Sequence, residues 1–192
     1  MATHPHRLRA EDVPRIPLAD PASTGYELVD GQLVAVMPAQ RTHAWLSFEI
    51  SRILGNHLEA TRAGRAFHDV WCRLPVPGDP ELLRAPDLAY FSQQTLAAEA
   101  AGAEIFHAPP DLVIEIFSPS NQRNRGDFQK RVRDYLDAGV RLLWVIYPDA
   151  RYAMVHRSDG SARLVRETEA LDGEDVLPGF SLEFGDLLNK MK

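Results

Sequence analysis

The stretch hardest to place anywhere but in a protein interior is 109–119, Pro-Pro-Asp-Leu-Val-Ile-Glu-Ile-Phe-Ser-Pro. Leu112 to Phe117 is a short apolar run rich in β-branched residues, and it predicts a strand covered on both faces. Glu115 lies inside that run. A carboxylate in a buried strand needs a cation, a donor or a metal, because leaving it unpaired is expensive. Ser118-Pro119 ends the strand, since proline has no amide proton and restricts the residue before it. A structural ion pair with an arginine would satisfy Glu115. A second acid, Asp87 in Arg84-Ala85-Pro86-Asp87-Leu88-Ala89-Tyr90-Phe91, points to more than that.

A chain of 192 residues is most simply one domain with a real core. We expect an extended N-terminal segment over 1–24, where Pro5, Pro14, Pro17 and Pro21 leave room for one helical turn near Ala10–Val13, and a single domain over 25–190. No run approaches the roughly 18 apolar residues of a membrane span, and the N-terminus lacks an apolar signal region, so the expected location is cytoplasmic. Cys72 is the single cysteine, which excludes an internal disulfide and a thiolate zinc cluster. A net charge of −6 gives no global attraction to nucleic acid, so such binding would need a local basic patch.

Along the chain, 26–29 and 32–37 flank Asp30-Gly31, a hairpin signal because this pair accepts positive φ. Glu27 reads as a solvated hairpin residue. Trp45, Leu46, Ile50, Ile53, Leu54 and Leu58 predict an amphipathic helix that Thr42 could cap, with His43 at its entrance read as capping or solvated in preference to a site residue. Strands follow over 65–77 and 88–91, and a short helix or connector over 94–101. His68 and Asp69, adjacent on a strand, would face opposite sides and form no joint site. After the central strand, 127–138 predicts a helix stopped by Gly139, and 141–147 a second buried strand, the pattern of a parallel crossover. Residues 152–156 and 162–166 predict an antiparallel pair around Asp159-Gly160, and 176–188 closes the domain.

The chain has no glycine-rich phosphate loop, Rossmann fingerprint, nucleophile elbow or His-Glu-x-x-His helix. What remains is a pair of acids borne on strands. Carboxylates converging from neighbouring strands make a hard oxygen site suited to Mg²⁺ or Mn²⁺. Such an ion activates water and neutralises phosphodiester charge. Asp111 competes for the role, but four residues along one strand put it about 13 Å from Glu115, so Asp87 is preferred.

Five stretches in order, 26–33, 85–88, 110–120, 135–140 and 142–148, resemble the Uma2 family of restriction-endonuclease-like proteins. The resemblance covers about residues 11–188. It implies the PD-(D/E)XK nuclease superfamily: an α/β (α+β) fold with a mixed β-sheet flanked by helices, here with an N-terminal β-hairpin. It also implies Asp87 as the motif aspartate and Glu115 as the second metal-binding acid. The chain departs from the superfamily pattern two residues after Glu115, where Phe117 stands in place of lysine. Uma2-like proteins place a lysine on the following helix instead, four residues before the tyrosine; counting back from Tyr135 lands on Arg131, with Lys130 beside it. At about 100° per residue, Lys130 lies opposite the apolar face, whereas Arg131 flanks it. Arginine holds a phosphate but is a poor general base. Tyr147 is a second departure, at a position where the family often has aspartate.

The expectation is therefore a metal-dependent endonuclease acting on DNA, with Asp87 and Glu115 holding Mg²⁺ or Mn²⁺ and Arg131 or Lys130 at the scissile phosphate. The basic cluster Arg123, Arg125, Lys130, Arg131 and Arg133 would supply phosphate contacts, or is simply a solvated loop and helix. The alternative is a catalytically impaired nuclease fold serving as a nucleic-acid or protein binding module. A hydrolase with another substrate in the same metal site, and a homodimer, both stay open.

Overall fold

The computed structural model describes residues 8–118 and 125–191, so Pro5, Pro119 and Arg123 lie outside it. Within these bounds the chain begins with a 3-10 helix, Ala10–Arg15, whose Ala10 and Val13 pack against Tyr26, Leu28, Leu83 and Ile105. The hairpin follows as β1 (Gly25–Val29) and β2 (Gln32–Val36). Its turn has positive φ at Asp30 and Gly31, as an Asp-Gly reversal requires. The long helix α1 (Arg41–Thr61) starts before Trp45. Its N-cap is Gln40, which leaves Thr42 inside the first turn and not at the cap expected for it.

A six-stranded mixed sheet forms the centre. Its order is β11 (Ala162–Arg166), β10 (Tyr152–Arg157), β9 (Leu142–Tyr147), β8 (Leu112–Ile116), β6 (Leu88–Ser92) and β3 (Gly64–Phe67). Only β8 and β9 run parallel, joined by the helix α3 (Arg125–Asp137). All five residues of β8 are buried. Leu112, Ile114 and Ile116 face Leu46, Ile50 and Leu54 of α1. Val113 and, by alternation, Glu115 face α3, where Phe128 and Tyr135 pack.

A second mixed sheet lies beyond the one expected. It orders β2, β1, β5 (Leu83–Arg84), β4 (Trp71–Arg73) and β7 (Ile105–Phe106). The two-residue strands β5 and β7 carry no readable periodicity, so neither was predicted. Cys72, Leu74 and Leu82 cover the same face of the central sheet as α3 does. β1 is thus an inner strand, which changes the reading of Glu27. A short helix α2 (Gln93–Ala97), a pair β12 (Ala170–Asp172) with β13 (Ser181–Glu183), and a last helix α4 (Phe184–Asn189) complete the described elements. None of the described helices is long and apolar enough to cross a membrane.

Two glycines separate packing from propensity. A Cβ on Gly64 would fall on the Phe91 carbonyl and 2.9 Å from Ser92 Cα, whereas one on Gly55, inside α1, would meet nothing within 4 Å. Gly64→Ala should therefore cost about 1–3 kcal/mol, as overpacking does. Gly55→Ala should gain about 0.5–1 kcal/mol from helix propensity. Urea unfolding of the two variants checks both signs.

Candidate active site

The pairing of β6 with β8 brings the two acids together. Leu88 pairs with Ile114, so one step outward Asp87 stands opposite Glu115. Residues opposed in this way project to the same face of the sheet. Asp87 then takes over where the ladder stops: the Ile116 N–H donates to its Oδ2 at 2.7 Å. Its Oδ1 lies 3.1 Å from His43 Nε2, in the first turn of α1. His43 thus bonds Asp87 beside the candidate site, and neither caps α1, whose N-cap is Gln40, nor stands free in solvent.

Glu115 is compensated from α3. Tyr135 Oη donates to its Oε1 at 2.6 Å, and Arg131 Nη1 approaches the same oxygen at 3.3 Å. Both of these bonds fall on Oε1. Arg131 also donates through Nη2 to Glu27 Oε2 at 2.8 Å. Glu27 is fully buried, and its Oε2 accepts from Arg84 Nη1 at 2.9 Å while its Oε1 accepts from the Ala85 N–H at 2.8 Å. Arg84 in turn grips Asp134 through Nε at 3.1 Å and through a closer Nη2 contact. The solvated reading of Glu27 is corrected here: β1 lies between β2 and β5, and Glu27 is a hub of buried charge.

The other candidates divide clearly. Arg131 reaches Glu115, while Lys130 pairs with Asp134 at 3.3 Å and with Asp30 at 3.5 Å. Phe117, at the lysine position of the superfamily pattern, packs its ring 4.9 Å from both Phe128 and Tyr147. Asp111 accepts from the Ser92 N–H and the Thr95 hydroxyl, a structural role tying α2 to β8. His68 and Asp69 lie in a bend and not on a strand, yet they still part company. His68 bonds Ser47 and Ser51, while the Asp69 N–H donates to the Pro86 carbonyl beside Asp87. Of the basic cluster, Arg133 is exposed, and Arg123 and the Arg125 side chain lie outside the described residues.

Burial pushes the Glu115 carboxyl up; Arg131 opposes this, Asp87 adds to it, and the result is about 7. Burial pushes His43 down, but its hydrogen bond to Asp87 and the charges of Asp87, Glu115 and Asp69 outweigh this and raise it. The acids thus repel one another and favour a cation between them. Asp87 and Glu115 are the residues that could hold a metal. Among the described residues no group of three or more His, Cys, Asp or Glu forms a closed cage. Two carboxylates suit Mg²⁺, which keeps several waters and completes its shell with substrate phosphate.

Two predictions follow from these charges. Glu115 holds a proton in the folded state up to about pH 7 that the unfolded chain releases near its ordinary value of 4.5. Stability should therefore fall as pH rises across that window, by at most about 1.4 kcal/mol per pH unit for one proton. His43 acts with the same sign: its raised value gives stability that is complete below 6.5 and lost as pH rises through the folded value. Urea midpoints measured between about pH 5 and 8 should decline, and Glu115→Gln should flatten the slope below 7. The second prediction concerns Arg84, which is 5 % exposed. Arg84→Ala should cost about 3–5 kcal/mol by leaving buried carboxylates uncompensated. Arg163→Ala, which breaks the exposed pair with Glu169, should cost under about 1 kcal/mol.

The crystal structure of a putative nuclease belonging to DUF820 from Anabaena variabilis ATCC 29413 superposes with a TM-score of 0.80, covering 96 % of this chain and 99 % of that chain at 21 % identity. At that identity the likeness establishes a shared fold. No curated protein matches the chain. A family profile, Uma2, described as putative restriction endonuclease, matches residues 10–185. With its mixed sheets flanked by helices and a profile match over most of its length, the chain is restriction endonuclease-like in fold and belongs to the Uma2 family.

Proposed function

We propose that the protein is a metal-dependent endonuclease that hydrolyses DNA phosphodiester bonds, with Asp87 and Glu115 holding Mg²⁺ or Mn²⁺. The observation that carries this reading is the opposition of Asp87 and Glu115 across β6 and β8, with Arg131 as the one guanidinium described on Glu115. When bound, a divalent ion supplies activated water and neutralises phosphate charge. Arg131, fixed by Glu27, offers its remaining N–H groups to a scissile phosphate. His43 orients Asp87, and its place in the first turn of α1 turns the positive end of that helix toward the same phosphate. Tyr135 holds Glu115 in one rotamer. The DNA would be met locally by Arg131 and this helix end, because the net charge of −6 does not attract it.

A second reading is a binding module whose chemistry has decayed. It is favoured by one observation: Arg131 stands where a lysine could exchange a proton, and Lys130 is engaged by Asp134 and Asp30.

Cleavage separates the two readings. The wild type should nick plasmid DNA with Mg²⁺ or Mn²⁺, and EDTA should abolish the activity. Glu115→Gln should reduce it to background with the fold intact. Arg131→Lys should raise the rate, since a well-placed proton-transfer group contributes on the order of 10²–10⁴-fold. Binding without cleavage by either wild type or Arg131→Lys, under both metals, would establish the binding module instead.

A further inference from the structure

Glu27 takes no part in the proposed chemistry, yet it holds the cation that does. Arg131 does not present its fork squarely to either acid. Its Nη2 donates to Glu27 Oε2 at 2.8 Å, and its Nη1 approaches Glu115 Oε1 at 3.3 Å. The tighter bond is the one to Glu27. A guanidinium facing a single carboxylate pairs through two parallel bonds, a stronger and more specific arrangement. Glu27 claims one arm and so prevents that pairing at Glu115. Glu27 is itself fixed, by Arg84 on Oε2 and by the Ala85 N–H on Oε1. Ala85 lies two residues before Asp87, so the same carboxylate also anchors the backbone from which Asp87 projects.

We infer that Glu27 is a positioning residue for the metal site: it draws Arg131 off Glu115 and so keeps Glu115 available to a divalent cation. This rests on the metal-dependent reading above. Guanidinium and metal are rivals for one carboxylate, and Glu27 decides between them. Without its charge, Arg131 closes on Glu115 as a fork, neutralises it and blocks the cation.

Mn²⁺ binding to the full chain, read from loss of the free-ion paramagnetic resonance signal, tests this without any substrate. Glu27→Gln keeps the shape and an acceptor oxygen but removes the charge. It should weaken Mn²⁺ affinity by about 10- to 100-fold, as loss of an orienting partner does. Adding Arg131→Gln removes the rival and should recover most of that loss, which a general loosening of the site would not allow. Asp30→Asn removes a carboxylate that pairs with Lys130 on the same helix without touching Glu27, Arg84 or Arg131, and should leave the affinity unchanged. If circular dichroism shows Glu27→Gln unfolded, Glu27→Asp serves in its place. It withdraws the charge by one methylene and should give a smaller loss with the same recovery. Glu27 variants that bind Mn²⁺ like the wild type, or a double variant as weak as the single, would overturn the inference. A wild type that binds no Mn²⁺ would instead sink the metal-site reading on which the inference stands.

Discussion

Burying Glu115 in a strand covered on both faces creates a charge that must be compensated, and much of the nearby architecture does this. Glu115 is 4 % exposed. In so dry a place an unpaired carboxylate would cost several kcal/mol, enough to consume much of a domain's net stability. The compensation comes from far along the chain. α3 brings Tyr135 and Arg131, the hairpin brings Glu27 to steady Arg131, and β5 brings Arg84 to steady Glu27. The second sheet therefore does more than cover the first: it delivers the charges that hold the candidate site in shape.

The same network explains how an arginine is accommodated at the position where the resemblance implies a lysine. A lysine ammonium is a compact point charge, whereas a guanidinium can bridge two acids at once. Arg131 does this between Glu27 and Glu115, and it keeps its proton, because Glu27 and Glu115 more than offset the effect of burial. A permanently charged bridge positions groups well and transfers protons badly. In the proposed reading, proton transfer would therefore fall to an ion and its water and not to Arg131.

What could be read from the sequence followed periodicity and turn chemistry. The apolar run at Leu112, the Asp-Gly hairpin, the helix before Gly139 and the final antiparallel pair all stand where their patterns place them. β5 and β7 are too short to show a period, and their pairing is set by long-range contacts that local sequence does not encode. Glu27 is the instructive miss. It lies in Tyr26-Glu27-Leu28-Val29, an acid flanked by apolar residues much as Glu115 is, and the reasoning that marked Glu115 as buried applied equally to it. The hairpin signal suggested a solvated edge, but β1 is an inner strand. His43 was legible only as one option among three: a histidine at a helix entrance can cap, stand in solvent or join a site, and it is the start of α1 at Arg41, which the apolar spacing from Trp45 does not show, that aims it at Asp87.

A crystal soaked in Mn²⁺ and read by anomalous difference density addresses the two acids themselves. The account predicts a peak within coordination distance of carboxylate oxygens from both Asp87 and Glu115, with Arg131 still bonded to Glu27. Strong anomalous peaks only elsewhere in the molecule, or the Arg131 fork closed over Glu115 in place of the ion, would contradict it.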